Sequence, residues 1–239
     1  MLRTMRLKVG CCGFPVSLDQ YFKELEVVEV QVSFYRRIGE KQAQNWRSRA
    51  PEGFEFVLKA PQCVTHPPKS PTYRRSHLTP RERKECGYFR LSDAVKREME
   101  IFLARARSLE AEKLLFQTPP SFKPTPENLE AMEAFFRHYQ GAGTFLWEPR
   151  GGEWTPEVIE EVCQKLSLVH ATDPLLEGPQ LWGDFTYFRL HGSLRTYRHD
   201  YTPEELEIVL ELAEEEGYIM FNNDRMWKNA LEMKGLISQ

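Results

Sequence analysis

Short apolar runs rich in β-branched and aromatic residues recur along the whole chain and alternate with helical patterns. Strands that alternate with helices predict a parallel sheet, because two parallel strands need a crossover connection. Eight such units in 239 residues predict a closed barrel, so we interpret residues 1–239 as one α/β domain, a (β/α)8 TIM barrel. The predicted strands are 7–12, 27–35, 54–60, 113–118, 144–147, 168–171, 186–191 and 218–222.

The helical patterns begin with clear start signals, among them a threonine followed by proline at the first helical position. Segment 173–184 is too short and too rich in proline and glycine for a full helix, so the sixth helix is predicted to be short or missing. The connection after the third strand, 61–92, is long and basic, and loops of that length are commonly functional or mobile. The predicted helices are 18–24, 39–49, 93–109, 126–139, 155–165, 203–216 and 226–234.

Alternation within the strands predicts which side chains point into the barrel. In the second strand Val28 and Val30 share the face that packs against helices, which turns Glu29 and Tyr35 inward. The same reasoning directs polar side chains of other strands towards the interior and the C-terminal mouth, where barrels carry their active sites. These side chains are Lys59, Gln117, Glu148, Arg150, Arg189 and His191.

The inward charges admit two interpretations. Together with Asp173 they comprise three acids and three bases, and such a balanced set could form a buried ion network with a purely structural role. Burying that many charges is costly unless all are paired, and apolar side chains would close a barrel at lower cost. We therefore favour a functional site and keep the structural network as the alternative.

Residues that follow the strands extend the candidate site. His66 follows the third strand within Thr-His-Pro-Pro, His191 ends the seventh strand, and Asn223 follows the eighth. Because imidazole titrates near neutral pH, His66 and His191 are candidate acids beside Glu29 and Glu148 as candidate bases. The residues predicted to bind substrate are Tyr35, Lys59, Gln117, Arg150, Arg189 and Asn223.

Cofactor and targeting signals are sparse. Five cysteines without a CxxC pair argue against a disulfide framework or a zinc ribbon, and free thiols suit a reducing cytosol. The sequence contains no Rossmann fingerprint and no P-loop, so the use of NAD or of a nucleotide triphosphate is not indicated. A divalent metal held by carboxylates and histidine stays open, although no HExxH motif supports it.

Without a signal peptide or an apolar span, the chain is predicted to be cytoplasmic with no membrane contact, and its oligomeric state is open.

Charge is distributed unevenly along the chain. The net charge of −3 gives no overall attraction towards nucleic acid or anionic membranes. The loop 65–90 nevertheless carries seven Lys or Arg residues against two acids, and further arginines follow the second and seventh strands. Since all these segments follow the C-terminal ends of strands, they predict a basic rim that attracts anions to the mouth, with solvated surface charge as the alternative.

Several motifs follow one another along nearly the whole chain: VGCCGF, VVEVQVSFYR, NWRSRAPEGFEFVLKAPQCVTH, LLFQTPPSF, FLWEPR, YFRLHG and IMFNND followed by NAL. Their combination resembles the YecE-like family, the domain-of-unknown-function family seventy-two. The resemblance implies a barrel fold and brings no established activity with it. The chain departs from the family pattern at Cys11-Cys12, Phe14 and Arg225-Met226-Trp227. The motifs match at Glu29, Tyr35, Lys59, His66, Gln117, Glu148, Arg150, Arg189, His191 and Asn223.

Two functions of different classes follow from these patterns. The first is an enzyme that acts on a small anionic substrate, phosphorylated or nucleotide-like, by general acid/base chemistry at the barrel mouth. The alternative is a nucleic-acid-binding protein whose basic rim contacts phosphates while aromatic side chains stack on bases. The candidate stacking residues are Tyr73, Tyr88, Phe89 and Trp182.

Overall fold

The computed structural model describes residues 6–193 and 195–238, with the backbone alone at residue 75. Eight parallel strands follow the order β6-β5-β4-β3-β2-β1-β8-β7. The strands are β1 (Arg6–Cys11), β2 (Val27–Val30), β3 (Glu55–Lys59), β4 (Lys113–Gln117), β5 (Thr144–Glu148), β6 (Val169–His170), β7 (Thr186–Leu190) and β8 (Glu216–Phe221). The helices are α1 (Leu18–Glu24), α2 (Val32–Tyr35), α3 (Glu40–Arg49), α4 (Gln62–Thr65), α5 (Pro80–Lys84), α6 (Asp93–Leu109), α7 (Pro126–His138), α8 (Pro156–Leu166), α9 (Pro203–Glu211) and α10 (Met226–Ile237), with a 3-10 helix at Pro71–Arg75.

The ring of strands closes through one bridge between β6 and β7. β6 contains only two residues and pairs with β5. Across the seam, Thr172 bridges Phe188, and the Arg189 N–H donates to the Thr172 carbonyl at 2.8 Å. The residues 171–185 that join the two strands contain no helix, which confirms the predicted short or missing sixth helix.

Strand side chains form two apolar layers on opposite sides of the barrel wall. Val27, Val57 and Leu115 belong to a cluster inside the barrel. Phe56 and Phe116 belong to the larger cluster that packs under the helices. The predicted alternation is therefore confirmed, since apolar side chains cover both faces and the polar ones on the inner face gather at the strand ends.

The second predicted strand and the predicted helix 203–216 extend well beyond their observed ends, unlike the other elements, whose ends differ by a few residues. β2 stops at Val30 because the backbone turns into α2, where the Ser33 hydroxyl lies 2.6 Å from the Val30 and Lys59 carbonyl oxygens. Tyr35 therefore lies on a helical turn and is 45% exposed, and its predicted inward place on a strand is wrong. The predicted helix 203–216 ends at Glu211, because the following residues turn towards the strand pairing of β8 with β1.

The long connection after β3 folds onto the C-terminal side of the barrel. The Gly87 N–H donates to the Cys63 carbonyl at 2.7 Å, and the Tyr73 hydroxyl donates to the His66 carbonyl at 3.0 Å. Gly87 has a φ of +91°, and a Cβ there would lie 2.5 Å from the His66 carbonyl oxygen. Only glycine fits this approach without strain. The start of the connection is thus fixed at the mouth.

Candidate active site

A fully buried ion pair supports the mouth from inside the barrel. Arg189 on β7 donates through Nε and Nη2 to the two carboxylate oxygens of Glu29 on β2, at 2.8 and 2.7 Å. The Tyr187 hydroxyl donates to the same carboxylate at 3.0 Å. All three residues are 0% exposed. Such a bidentate arrangement holds both side chains in one geometry.

Glu148 joins this pair to the mouth. One of its oxygens accepts from Arg189, and the other accepts from Arg150 at 2.6 Å and from His191 at 2.8 Å. Burial opposes ionisation, but the guanidinium groups of Arg150 and Arg189 outweigh it and hold the Glu148 pKa well below its usual value. Glu148 is therefore ionised at neutral pH and orients the two arginines.

A chain of amides contacts the ring of His191. Gln31 Nε2 donates to Asn222 Oδ1 at 2.7 Å, and Asn222 Nδ2 lies 3.0 Å from His191 Nδ1. Since the amide nitrogen is a donor, Nδ1 accepts, and Nε2 faces both Glu148 Oε1 at 2.8 Å and Arg150 Nη2 at 2.6 Å. Burial lowers the His191 pKa to about 4, so the ring is neutral at neutral pH.

Above this network lies a cavity of about 770 Å³ at the C-terminal mouth of the strands. Lys59 on the cavity wall donates to Gln117 Oε1 at 2.6 Å and stands 4.5 Å from the centroid of the Phe34 ring. Burial, followed by repulsion from Arg189, lowers the Lys59 pKa to about 8. Among the described residues no carboxylate forms an ion pair with Lys59, so its charge faces the cavity without a direct counterion.

Glu177 provides a carboxyl group with a different environment from that of Glu148. Glu177 belongs to the segment that connects β6 to β7, residues 173–184, which we call the β6–β7 strap. Its side chain is only 23% exposed. Arg150 Nη1 lies 3.2 Å from Glu177 Oε2. Burial nevertheless raises the Glu177 pKa to about 7, against the attraction of Arg150. Arg150 therefore lies between a carboxylate that stays ionised and a carboxyl group that titrates near neutral pH.

The family model described as "Protein of unknown function DUF72" matches residues 14–238. The chain belongs to the DUF72 family. The resemblance drawn from the motifs is thereby confirmed. The UPF0759 protein YunF of Bacillus subtilis (strain 168) is 26% identical over 165 residues, which make up 69% of this chain and 53% of YunF. The chain thus spans about half the length of this curated relative.

Solved structures share the fold of this DUF72 chain. A DUF72 family protein of Enterococcus faecalis V583 has a TM-score of 0.76 and 19% identity, with 99% of both chains covered. A xylose isomerase domain containing protein of Salmonella typhimurium LT2 has a TM-score of 0.61 and 12% identity, with 97% of both chains covered. At such identities the likeness concerns the fold, and it confirms the TIM barrel.

The predicted site residues of the DUF72 barrel separate into two groups. One group lines the cavity: Tyr35, Lys59, His66, Gln117, Arg150 and Asn223. The other lies buried beside or beneath it: Glu29, Glu148, Arg189 and His191. Sequence reasoning missed Glu177 and Tyr197, which also line the cavity. The only signal for Glu177 was its place in a non-helical segment after a strand end.

His66 and Asn223 line the cavity as predicted, and each side chain has hydrogen-bond partners in the protein. His66 Nδ1 lies 2.8 Å from the Thr65 hydroxyl, and burial lowers the His66 pKa to about 3. Neither His66 nor His191 is therefore an imidazolium at neutral pH, which disfavours the predicted role of either ring as the acid. Asn223 Nδ2 donates to the His199 carbonyl and to Asn229 Oδ1, each at 2.8 Å.

The cations of the long loop do not concentrate in the cavity wall. None of the loop's described lysine or arginine side chains lines the cavity, and Arg83 is bound to the carbonyl oxygens of Ser76 and Leu78. Arg37 forms an ion pair with Glu98, and neither residue lines the cavity. The side chain of Arg75 lies outside the described residues. The positive charge at the cavity wall comes from Lys59 and Arg150 instead.

Aromatic rings proposed for base stacking are placed elsewhere. Tyr73 and Phe89 are buried, at 2% and 0% exposure, and Tyr88 donates its hydroxyl to the Ser121 carbonyl at 3.1 Å. The Trp182 carbonyl accepts from the His170 N–H, just before the N-terminal end of β7. These four residues therefore do not form a stacking platform at the mouth.

Neither a metal-binding cluster nor a membrane-spanning helix occurs in the described part of the chain. Residues 6–193 and 195–238 contain no group of three or more His, Cys, Asp or Glu side chains arranged to hold a metal ion. The inward carboxylates contact guanidinium groups instead. None of the helices in the same ranges has the length and apolar character needed to cross a bilayer.

Proposed function

We propose that this DUF72 barrel is an enzyme that binds a small anionic substrate, phosphorylated or nucleotide-like, and acts on it by general acid/base catalysis at the barrel mouth. One observation carries the proposal: a single cavity is lined by a buried ammonium without a carboxylate partner, Lys59, and by a carboxyl group that titrates near neutral pH, Glu177. Perturbed groups of this kind that meet in a cavity favour a functional site.

Anion binding follows from the unused donors of the cavity wall. Lys59 has three N–H donors, and one contacts Gln117. A phosphate or carboxylate group beside it would restore the solvation that burial removes. Arg150 adds a second cation, which Glu148 orients from beneath. The substrate-binding roles of Lys59, Gln117 and Arg150 rest on these contacts.

Glu177 is the proposed general acid/base. A catalytic group works best when its pKa lies near the operating pH, and the Glu177 pKa of about 7 meets that condition. Because His66 and His191 are neutral, we assign them to orientation and hydrogen bonding. Glu29 and Glu148, fully buried among arginines, support the site rather than transfer protons.

Titration with inorganic phosphate, followed by calorimetry at low salt, tests the anion site. We expect Lys59→Gln to weaken phosphate binding about 10- to 100-fold, because a hydrogen bond to a charged group contributes about 1.5–3 kcal/mol. The matched control is Lys113→Gln, since Lys113 is also a strand lysine close to an aromatic ring but forms an ion pair with Glu55 at 3.0 Å. Equal affinity in wild type and Lys59→Gln would overturn the proposal.

A panel of sugar phosphates and nucleotides, followed by phosphorus and proton NMR, tests the chemistry. We expect Glu177→Gln to bind phosphate as the wild type does while turnover of any converted compound falls by about 10²- to 10⁴-fold, the usual contribution of general acid/base catalysis. Turnover that survives in Glu177→Gln would assign the proton transfer to another residue.

A further inference from the structure

The Lys59 amine is buried at the cavity wall among charged groups, none of which forms an ion pair with it among the described residues. It contacts Gln117 on β4 and the Phe34 ring on α2. The charged and titratable groups around it are Glu29, Arg189, Glu148, Cys12 and His66. The Glu29 and Glu148 carboxylates form ion pairs with Arg189, and they act on Lys59 only as more distant charges.

Lys113 shows what a purely structural lysine of the same barrel looks like. It begins β4, four residues before Gln117, and stands 4.8 Å from the Tyr218 ring. Its amine is neutralised by Glu55 at 3.0 Å. Lys59 has the aromatic neighbour without the carboxylate, and it lines the cavity at the end that carries barrel active sites.

We infer that Lys59 is a catalytic nucleophile that forms an imine with the carbonyl carbon of an anionic aldehyde or ketone held in the mouth cavity. This inference rests on the proposed function and narrows its substrate to compounds that carry both an anion and a carbonyl group. Lysines that are desolvated or placed beside another cation are suited to this chemistry, because the neutral amine becomes accessible.

The covalent step balances within the groups of the cavity. Lys59 first passes a proton to the Glu177 carboxylate, and its nitrogen lone pair attacks the carbonyl carbon while the carbonyl π pair moves to oxygen. A proton passes from nitrogen to that oxygen and gives a carbinolamine. Glu177, which lines the same cavity, donates a proton to the hydroxyl, which leaves as water while the C=N bond forms. Addition of water reverses the sequence and restores the free amine.

The protonation state of Lys59 agrees with this role. Burial and Arg189 lower the Lys59 pKa to about 8, so about one molecule in ten carries the neutral amine at pH 7. An unperturbed lysine would supply less than about one in a thousand at that pH. The resulting iminium remains cationic, so Arg189, Glu29 and Glu148 keep the charge balance that they have around the ammonium.

Reductive trapping tests the inference in the intact protein. The probe is pyridoxal 5′-phosphate, an aldehyde that carries a phosphate, followed by sodium borohydride, peptide digestion and mass spectrometry. In wild type we expect Lys59 to carry most of the label, with a labelling rate that rises between pH 7 and 9 around a midpoint near 8. Inorganic phosphate should compete with the probe and protect Lys59.

Two variants complete the experiment. In Lys59→Gln the amount of label on the cavity peptides should fall at least about tenfold, whereas Lys113→Gln should carry as much label as wild type. Circular dichroism checks that both variants are folded. Label spread over exposed lysines and unchanged in Lys59→Gln would overturn the imine. The wild-type peptide map decides the matter even when Lys59→Gln fails to fold. Phosphate binding without label at Lys59 refutes the imine alone, whereas absence of phosphate binding refutes the proposed function.

Discussion

Replacing Arg189 by methionine tests how the buried charge network holds the barrel together. Arg189→Met keeps a long apolar side chain and removes the guanidinium that contacts Glu29 and Glu148. Glu148 retains Arg150 and His191, whereas Glu29 retains, among the residues that the structure describes, only the Tyr187 hydroxyl. The loss of stability therefore arises mainly at Glu29.

The expected loss is about 3–5 kcal/mol, the range found when one partner of a buried ion pair is removed and a charge is left uncompensated. With a urea m-value of about 3 kcal/mol/M, this lowers the unfolding midpoint by roughly 1–1.7 M. Urea unfolding at pH 7, followed by tryptophan fluorescence and circular dichroism, measures it. The deficit should shrink as pH falls, because a protonated carboxyl group is less costly to bury than a carboxylate.

The double variant Glu29→Gln/Arg189→Met separates charge from packing. Removing the stranded carboxylate should recover at least about half of the loss, since a neutral amide can accept from Tyr187 at a smaller desolvation penalty. A loss below about 1 kcal/mol in Arg189→Met, or a double variant no more stable than the single one, would refute this account of the network.

Three further predictions concern pH, packing and capping. The Glu148 pKa is lowered in the folded state, so its stabilising contribution is present above the unfolded pKa of about 4.3 and should be lost as pH falls below that value, a loss absent from Glu148→Gln in urea titrations. Gly10→Ala should lose about 1–3 kcal/mol in thermal unfolding, because a Cβ would lie 2.4 Å from the Val27 carbonyl oxygen; retention of the wild-type melting temperature would contradict it. Thr202→Ala should cost about 1 kcal/mol by removing the capping box of α9, and Thr202→Ser should recover most of it.

The inner face of the strands was predictable because it depends on local geometry. Side chains on a strand alternate with a period of two, so Val28 and Val30 sufficed to place Glu29 inside. The same rule failed beyond Val30, because the apolar alternation continues through Phe34 while the backbone turns into α2. Alternation of residue types does not report where a strand ends.

Glu177 could not be predicted, because long-range pairing decides its environment. The strap has no period that assigns it a face, and Glu177 meets Arg150 only once β5, β6 and β7 lie side by side. The basic loop shows a second limit of the sequence. Its composition predicted a basic rim, but it could not show that Arg83 is bound to carbonyl groups of the loop itself. Charge counts do not reveal such local partners.

The seam between β6 and β7 makes the barrel mechanically uneven. Every other neighbouring pair of strands is joined by a ladder, whereas this pair is held by the Thr172–Phe188 bridge with its backbone hydrogen bonds and by side chains of the strap, such as Asp173, which accepts from the His191 N–H at 2.7 Å. The wall should therefore yield here first, with amide protons of the strap exchanging faster than those of β1 and β8. Glu177 belongs to that strap, whereas Lys59 is the last residue of β3 and Arg150 follows β5 by two residues. Each opening of the seam would move Glu177 away from Lys59 and Arg150, and each closing would bring it back. Access to the cavity would thus be coupled to the placement of Glu177 beside these two cations.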